Sequence, residues 1–219
     1  EKLHVKKIIS IGGWSWSDFF SDVALTPTSR ATFAASAVNF MVSYNFDGVD
    51  IDWEYPGGGG DVGNIVRPED GANFVLLLAE LRSQMDAQEL IDGKEYELTI
   101  ADAASPKIYE DQEDMAGMAP YLDYVNLMTY DMKSAWGALT GHQSQFQTAT
   151  SDPETDPQER RANVVDAVQR HILNGIPASK ITVGVPFYAR SFIGVPNINN
   201  GLYQTFTGVP KGTWDGGGE

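Results

Sequence analysis

Residues 46–54 read FDGVDIDWE, and the fold follows from the way these side chains alternate. Asp50, Asp52 and Glu54 stand at i, i+2 and i+4. On a strand, successive side chains point to opposite faces, so the three carboxyls share one face. Val49, Ile51 and Trp53 share the other. An apolar face of that size has to pack against a second layer, which places the acids in an interior cavity or at its mouth. Carboxyls about 6.5–7 Å apart cannot all ionise comfortably, so at least one is expected to keep its proton near neutral pH, as a general acid must. A hairpin edge with solvated acids is the alternative. It leaves unexplained the clean alternation and the Trp53 and Tyr55 that flank the last acid.

Other apolar runs fit the same plan. VKKIISIGG (5–13), FDGVDIDWEY (46–55), YELTIADAAS (96–105), LDYVNLMTYD (122–131) and KITVGVPFYAR (180–190) read as strands. Residues 27–45 open with Pro at a first helical turn, and Phe33, Ala37, Phe40 and Met41 mark an apolar stripe. Helices are also expected over 71–88, over 111–120 (short), and over 157–175, the last capped by Gly175 and followed by Pro177. GGGGDVGNIVRPED (57–70) reads as a flexible loop, 132–157 as a long polar loop, and 191–219 as a Gly-, Asn- and Pro-rich tail without a period. Strands alternating with helices mean a parallel sheet with helices packed outside. The strands read as apolar on both faces except near their C-terminal ends. Ser10, Asp50, Asp52, Glu54, Tyr130, Asp131, Tyr188 and Arg190 gather there, at the end where a (β/α)8 barrel carries its active site.

The 219 residues are 42% hydrophobic, enough for a large core in one domain. No apolar run approaches the ~20 residues that span a bilayer, so a soluble protein is expected. The net charge of −15, with Lys and Arg scattered, disfavours nucleic acid and anionic membranes as partners and suits a neutral glycan. Cysteine is absent, and His4, His142 and His171 lie far apart, so no metal site is expected. No signal peptide is visible and the chain starts at Glu1, so either a leader has been removed or the N-terminus lies elsewhere.

The pattern Asp-Gly-x-Asp-x-Asp-x-Glu, here Asp47, Gly48, Asp50, Asp52 and Glu54, resembles the signature of family 18 glycoside hydrolases, the chitinases. Three further stretches resemble motifs of that family: SIGGW (10–14), MTYD (128–131) and GVPFYAR (184–190). Ser134 and Ala189 stand where the family often has Gly. Asp47 has the opposite parity to the other acids and is expected to satisfy backbone groups at the strand start. Ser10 shares a face with Gly12 and is expected to reach the acids of the next strand. Trp14, Trp16, Phe19 and Phe20 suit stacking on a polysaccharide and equally suit a hydrophobic cluster.

The resemblance implies an α/β fold, a (β/α)8 TIM barrel of which strands three to seven are visible. The first two strands would precede Glu1 and the eighth would follow Glu219. Residues 1–190 would form the catalytic core, and 191–219 would lead into an inserted α+β subdomain. It implies hydrolysis of β-1,4-linked N-acetylglucosamine polymers with retention of configuration, assisted by the substrate's own acetamido group. Glu54 would be the general acid and base, with Asp52, Asp50 and Tyr130 completing the catalytic set. Ser10, Trp14, Tyr55, Met128, Asp131, Trp136, Tyr188 and Arg190 would contact substrate. Phe46 and Tyr55 also read as packing groups, and Arg190 as a partner for a barrel acid. No cofactor or metal is implied, and the protein is expected to be a secreted monomer acting on chitin or chito-oligosaccharides. A chitinase-like lectin would lack the last Glu or a neighbouring Asp, all of which are present here. An endo-β-N-acetylglucosaminidase acting on N-glycans would share the acidic motif.

Overall fold

A computed structural model describes residues 5–106 and 114–213. In chain order the elements are β1 (Ile8–Gly12), α1 (Phe20–Leu25), α2 (Pro27–Ser43), β2 (Gly48–Asp52), α3 (Asp70–Asp92), β3 (Glu97–Ala103), α4 (Met115–Met118), β4 (Tyr124–Met128), α5 (Pro157–Arg160), α6 (Val164–Leu173) and β5 (Ile181–Val183). The five strands form one sheet in the order β1-β2-β3-β4-β5. β1 runs parallel to β2 and β2 to β3, which sets Ser10 beside Asp50, Gly12 beside Asp52, and Asp50 beside Thr99. All five expected strands are present. His4 and residues 111–113 of the expected short helix lie outside the described residues.

The strand ends differ from expectation. β4 stops at Met128 rather than Asp131, because Thr129 N–H turns back to the Leu127 carbonyl (2.9 Å) and Asp131 takes a left-handed φ of 58°. β5 stops at Val183, so Tyr188 and Arg190 do not stand on a strand face. Pro186, which has no N–H to give a ladder, lies in the segment that was expected to continue it.

The helices also carry surprises. Thr26 caps α2 through a reciprocal box with Ser29, ahead of Pro27. Its buried stripe is Arg30, Ala34, Ala37, Val38 and Met41, whereas Phe40 is 44% exposed and lies against Tyr44 and Phe46. The expected helix over 157–175 is two, because Asn163 Oδ1 accepts the Asp166 N–H (2.9 Å) as a fresh N-cap would. Gly175 does close α6, with its N–H on Ile172 O (3.2 Å) and Ile176 N–H on His171 O (2.9 Å). α1 was not expected at all.

The chain packs as two compact units. One holds residues 5–102, 114–126 and 170–182; the other holds 103–106, 127–169 and 183–213. In the first, Val49, Ile51 and Trp53 form the apolar back of β2 and are all buried. Trp53 stacks on Phe20 (5.6 Å, 17°) and meets the edge of Phe74 (5.3 Å, 70°), with Leu77, Leu78, Leu81 and Met85 of α3 behind. Each such side chain contributes about 1.5–3 kcal/mol on burial. The second unit depends more on hydrogen bonds, among them Met132 N–H to Gln143 O and Thr129 Oγ1 to Gly184 O (2.9 and 2.7 Å).

The opposite face of the sheet corrects one expectation. It is polar along its length, not only at the strand ends, with Ser10, Asp50, Thr99, Asn126 and Thr182 lining a concave pocket of about 330 Å³. Asp50 and Thr99 are buried there, Asn126 is half-buried, and Ser10 and Thr182 on the outer strands are exposed; hydrogen bonds join the set.

Candidate active site

Asp50 is 8% exposed and lies at the centre of that polar face. Ser10 Oγ donates to its Oδ2 (2.7 Å), and Asn126 Nδ2 (3.1 Å) and Thr99 Oγ1 donate to its Oδ1. Thr182 Oγ1 in turn donates to Asn126 Oδ1 (2.7 Å). The expected reach of Ser10 to the acids is therefore met at Asp50. Thr99 and Thr182 were missed by sequence reasoning. Strand parity and the pairing of Ser10, Asp50 and Thr99 across three strands are the signals that find them.

Asp52 ends β2 in a different environment. Its Oδ1 is buried and has no hydrogen-bond partner among the described residues. Burial, then the charges of Glu54 and Asp50, push its carboxyl up to about 7. Asp52 is thus a carboxyl of the kind expected to keep its proton near neutral pH. Its backbone carbonyl accepts Gly13 N–H (2.7 Å), and a Cβ on Gly12 would stand 2.2 Å from that oxygen. β1 therefore needs a glycine where it closes on β2.

Glu54 lies two residues past β2 and is 9% exposed. Its N–H donates to Ser17 Oγ (2.9 Å), and its carbonyl accepts from Asn64 Nδ2 (2.7 Å). Burial, then the Glu54 charge, raise the neighbouring Tyr55 hydroxyl well above its usual value, and that hydroxyl is bonded to Glu54. Asp47 takes the Lys7 N–H (2.9 Å) and the Lys94 ammonium (3.1 Å), as a structural acid at a strand start should. The aromatic run after β1 divides. Phe20 is core, while Trp14, Trp16 and Phe19 are 49%, 82% and 65% exposed.

The second unit gathers the other candidates. Asp131 binds Arg190 through both oxygens (2.8 and 2.9 Å). The Arg190 guanidinium also lies over the rings of Tyr188 (5.2 Å) and Trp136 (5.6 Å). Tyr188 meets Tyr130 edge to face at 6.1 Å. Its hydroxyl is raised by burial and then by its bond to Asp131. Met128, the last residue of β4, is half-buried, and Trp136 is 68% exposed. Ser134 is fully buried, and its hydroxyl has no partner among the described residues. The pairing of Arg190 with an acid is realised, and Asp131 is that acid. Among the described residues no three His, Asp or Glu side chains converge with metal-ligand geometry.

Comparison with known proteins bears on this constellation. The family model "Glycosyl hydrolases family 18" matches residues 1–217. The chain belongs to glycosyl hydrolases family 18. Among its family 18 relatives, chitinase A1 of Niallia circulans is 46% identical over 98% of this chain and 31% of its own length. Chitinase 1 of Aphanocladium album is 38% identical over 98% of this chain and 47% of its own. This chain therefore spans less than half the length of these two curated relatives, 31% and 47%. A chitinase from Bacillus thuringiensis superposes with a TM-score of 0.89 at 40% identity, covering 97% of this chain and 34% of that one. A family 18 N-acetylglucosaminidase from Paenibacillus barengoltzii gives 0.86 at 40% identity, covering 94% and 58%. These likenesses show the family 18 fold, a domain of TIM-barrel type.

Proposed function

We propose that this chain forms most of the catalytic domain of a chitinase that cleaves β-1,4-linked N-acetylglucosamine with retention of configuration. The observation that carries the reading is Asp52. A carboxyl that holds its proton to about 7 and keeps a buried oxygen unbonded is fitted to meet a substrate amide. Glu54 donates its proton to the glycosidic oxygen as the C–O bond breaks. The substrate's acetamido oxygen attacks the anomeric carbon and closes an oxazolinium-like ring. Asp52 holds the acetamido N–H and steadies the positive charge that develops there. Asp50, fixed by Ser10, Thr99 and Asn126, stands ready to share the proton of Asp52. Glu54 then takes a proton from the water that opens the ring.

Tyr130 is assigned to the acetamido oxygen on the MTYD motif. Asp131, Tyr188, Arg190, Trp136, Met128, Trp14 and Tyr55 are assigned to the sugars. Ser10 contributes through its bond to Asp50. In the same reading the five strands are the third to seventh of a closed barrel. Residues 1–190 are its core, and the tail leads into an inserted subdomain. The relatives' names support chitin as substrate; a secreted, monomeric enzyme is the setting assigned in the same reading. A second reading, release of single N-acetylglucosamine units, is favoured by the resemblance to the Paenibacillus enzyme. A lectin role is disfavoured by the presence of all three acids.

The test is release of a fluorophore from a di-N-acetylchitobioside, wild type beside Glu54→Gln. Turnover should fall by about 10²–10⁴-fold in the variant with binding retained. Near-normal turnover would remove Glu54 from its role. A wild type that binds chitin oligomers without cleaving them would turn the assignment to a lectin. A panel including N-glycans and single-sugar glycosides separates the hydrolase alternatives.

A further inference from the structure

Glu54 stands two residues beyond the last residue of β2. Two side chains bond its main chain there. Ser17, fully buried, accepts the Glu54 N–H (2.9 Å) and donates to Gly13 O (2.8 Å). Asn64 donates its Nδ2 to the Glu54 carbonyl (2.7 Å). The loop that brings Asn64 back runs so close that a Cβ on Gly60 would stand 1.9 Å from the same carbonyl.

That loop was expected to be flexible, yet it is wired at several points. Ile65 N–H bonds Asp18 O (3.0 Å), and Arg67 N–H bonds Asp70 Oδ2 (2.8 Å). Asp70, fully buried, takes Ser21 Oγ (2.6 Å), which itself takes Arg67 Nη1 (2.7 Å). Asn64 Oδ1 is buried without a partner among the described residues, so the amide gives up one bond to keep its donor on Glu54.

We propose that Ser17 and Asn64 are positioning residues: they fix the peptide groups on both sides of Glu54 and thereby set where its carboxyl stands relative to Asp52. The role builds on the reading of Glu54 as the proton donor. Each side chain acts through the main chain of the acid, and a misplacement of the order of 1 Å there is worth about 10²-fold in rate.

The experiment is made on the full-length enzyme with Asn64→Ala, Asn64→Asp and Ser17→Ala. Asn64→Asp keeps the shape and removes the donor. kcat should fall about 10–10²-fold in all three, with KM within about twofold, the mark of an effect confined to the transition state. A loss in Asn64→Asp as large as in Asn64→Ala assigns the effect to the N–H and not to bulk. Wild-type kcat in either Asn64 variant, or a loss that tracks thermal unfolding, overturns the proposal. A second readout does not require turnover. Carboxyl-carbon NMR should show Asp52 titrating lower in Asn64→Ala than in the wild type, because the Glu54 charge has moved away. An unchanged titration overturns the positioning role. A wild type inactive on every glycoside tested would defeat the proton-donor reading, while the titration would still decide whether Asn64 places Glu54 beside Asp52.

Discussion

Asp50 and Asp52 sit two residues apart on one strand and have opposite surroundings. Asp50 is met by three donors; Asp52 has a bare oxygen and two acidic neighbours. Burial, then the charges of Glu54 and Asp50, hold the Asp52 carboxyl up at about 7. kcat/KM is expected to fall as pH rises through about 7, because Asp52 then loses the proton it is assigned to share with Asp50. The residual activity of Asp52→Asn should lack this limb near 7, since the group that titrates there is gone. A pH–rate profile of both forms checks this. Stability follows with a definite sign. The folded carboxyl binds its proton more tightly than the unfolded one at 3.8, so Asp52 costs stability progressively as pH climbs from the usual aspartate range toward 7. Asp52→Asn should therefore raise Tm more at about pH 8 than at about pH 5. The sequence showed three acids on one face and required a proton on one of them. It could not say which, because the donors on Asp50 come from β1, β3 and β4, residues 40 to 76 positions away.

At the scale of elements, the end of β1 decides how closely it can approach β2. Gly12 has φ 117° and no room for a Cβ between Asp52 O and the Phe20 ring. Gly12→Ala should cost about 1–3 kcal/mol in backbone strain alone and more from the contact. It should lower activity as well, because the displaced strand is the one that ends in Asp52. Urea unfolding beside a kinetic assay measures both. Strand existence and order were legible, since apolar runs of five or more residues recur between helical periods. Their ends were not. Thr129 turns β4 back and Pro186 lies where β5 was expected to continue, and both effects depend on partners outside the run. Asn163 starts a new helix inside a continuous helical pattern because its side chain caps α6. α1 escaped notice because six residues, three of them apolar beside Phe20, are too few to show a period.

For the molecule as a whole, the proposed function sets a net charge of −15 against an uncharged chito-oligosaccharide. No long-range steering is available to be screened. kcat/KM on a neutral chito-oligosaccharide should therefore change by less than about twofold as ionic strength rises from about 0.05 to 0.5 M, and heparin should not compete. A strong salt dependence in initial rates would argue for a charged substrate. The family was legible in four short motifs. The division of the chain into two packed units was not, since it rests on contacts between segments far apart in sequence. One further consequence lies in the side chains that cross the sheet. Ser10, Asp50, Thr99, Asn126 and Thr182 come one from each strand and join in a bonded network centred on Asp50. A slip of β2 by one residue would send Asp50 to the apolar side and leave a buried carboxylate facing hydrocarbon, and a slip of β1, β3 or β4 would take a donor from it. The belt that orients an acid in the finished protein thus also proofreads the alignment of the strands while they assemble, admitting one register and penalising its neighbours.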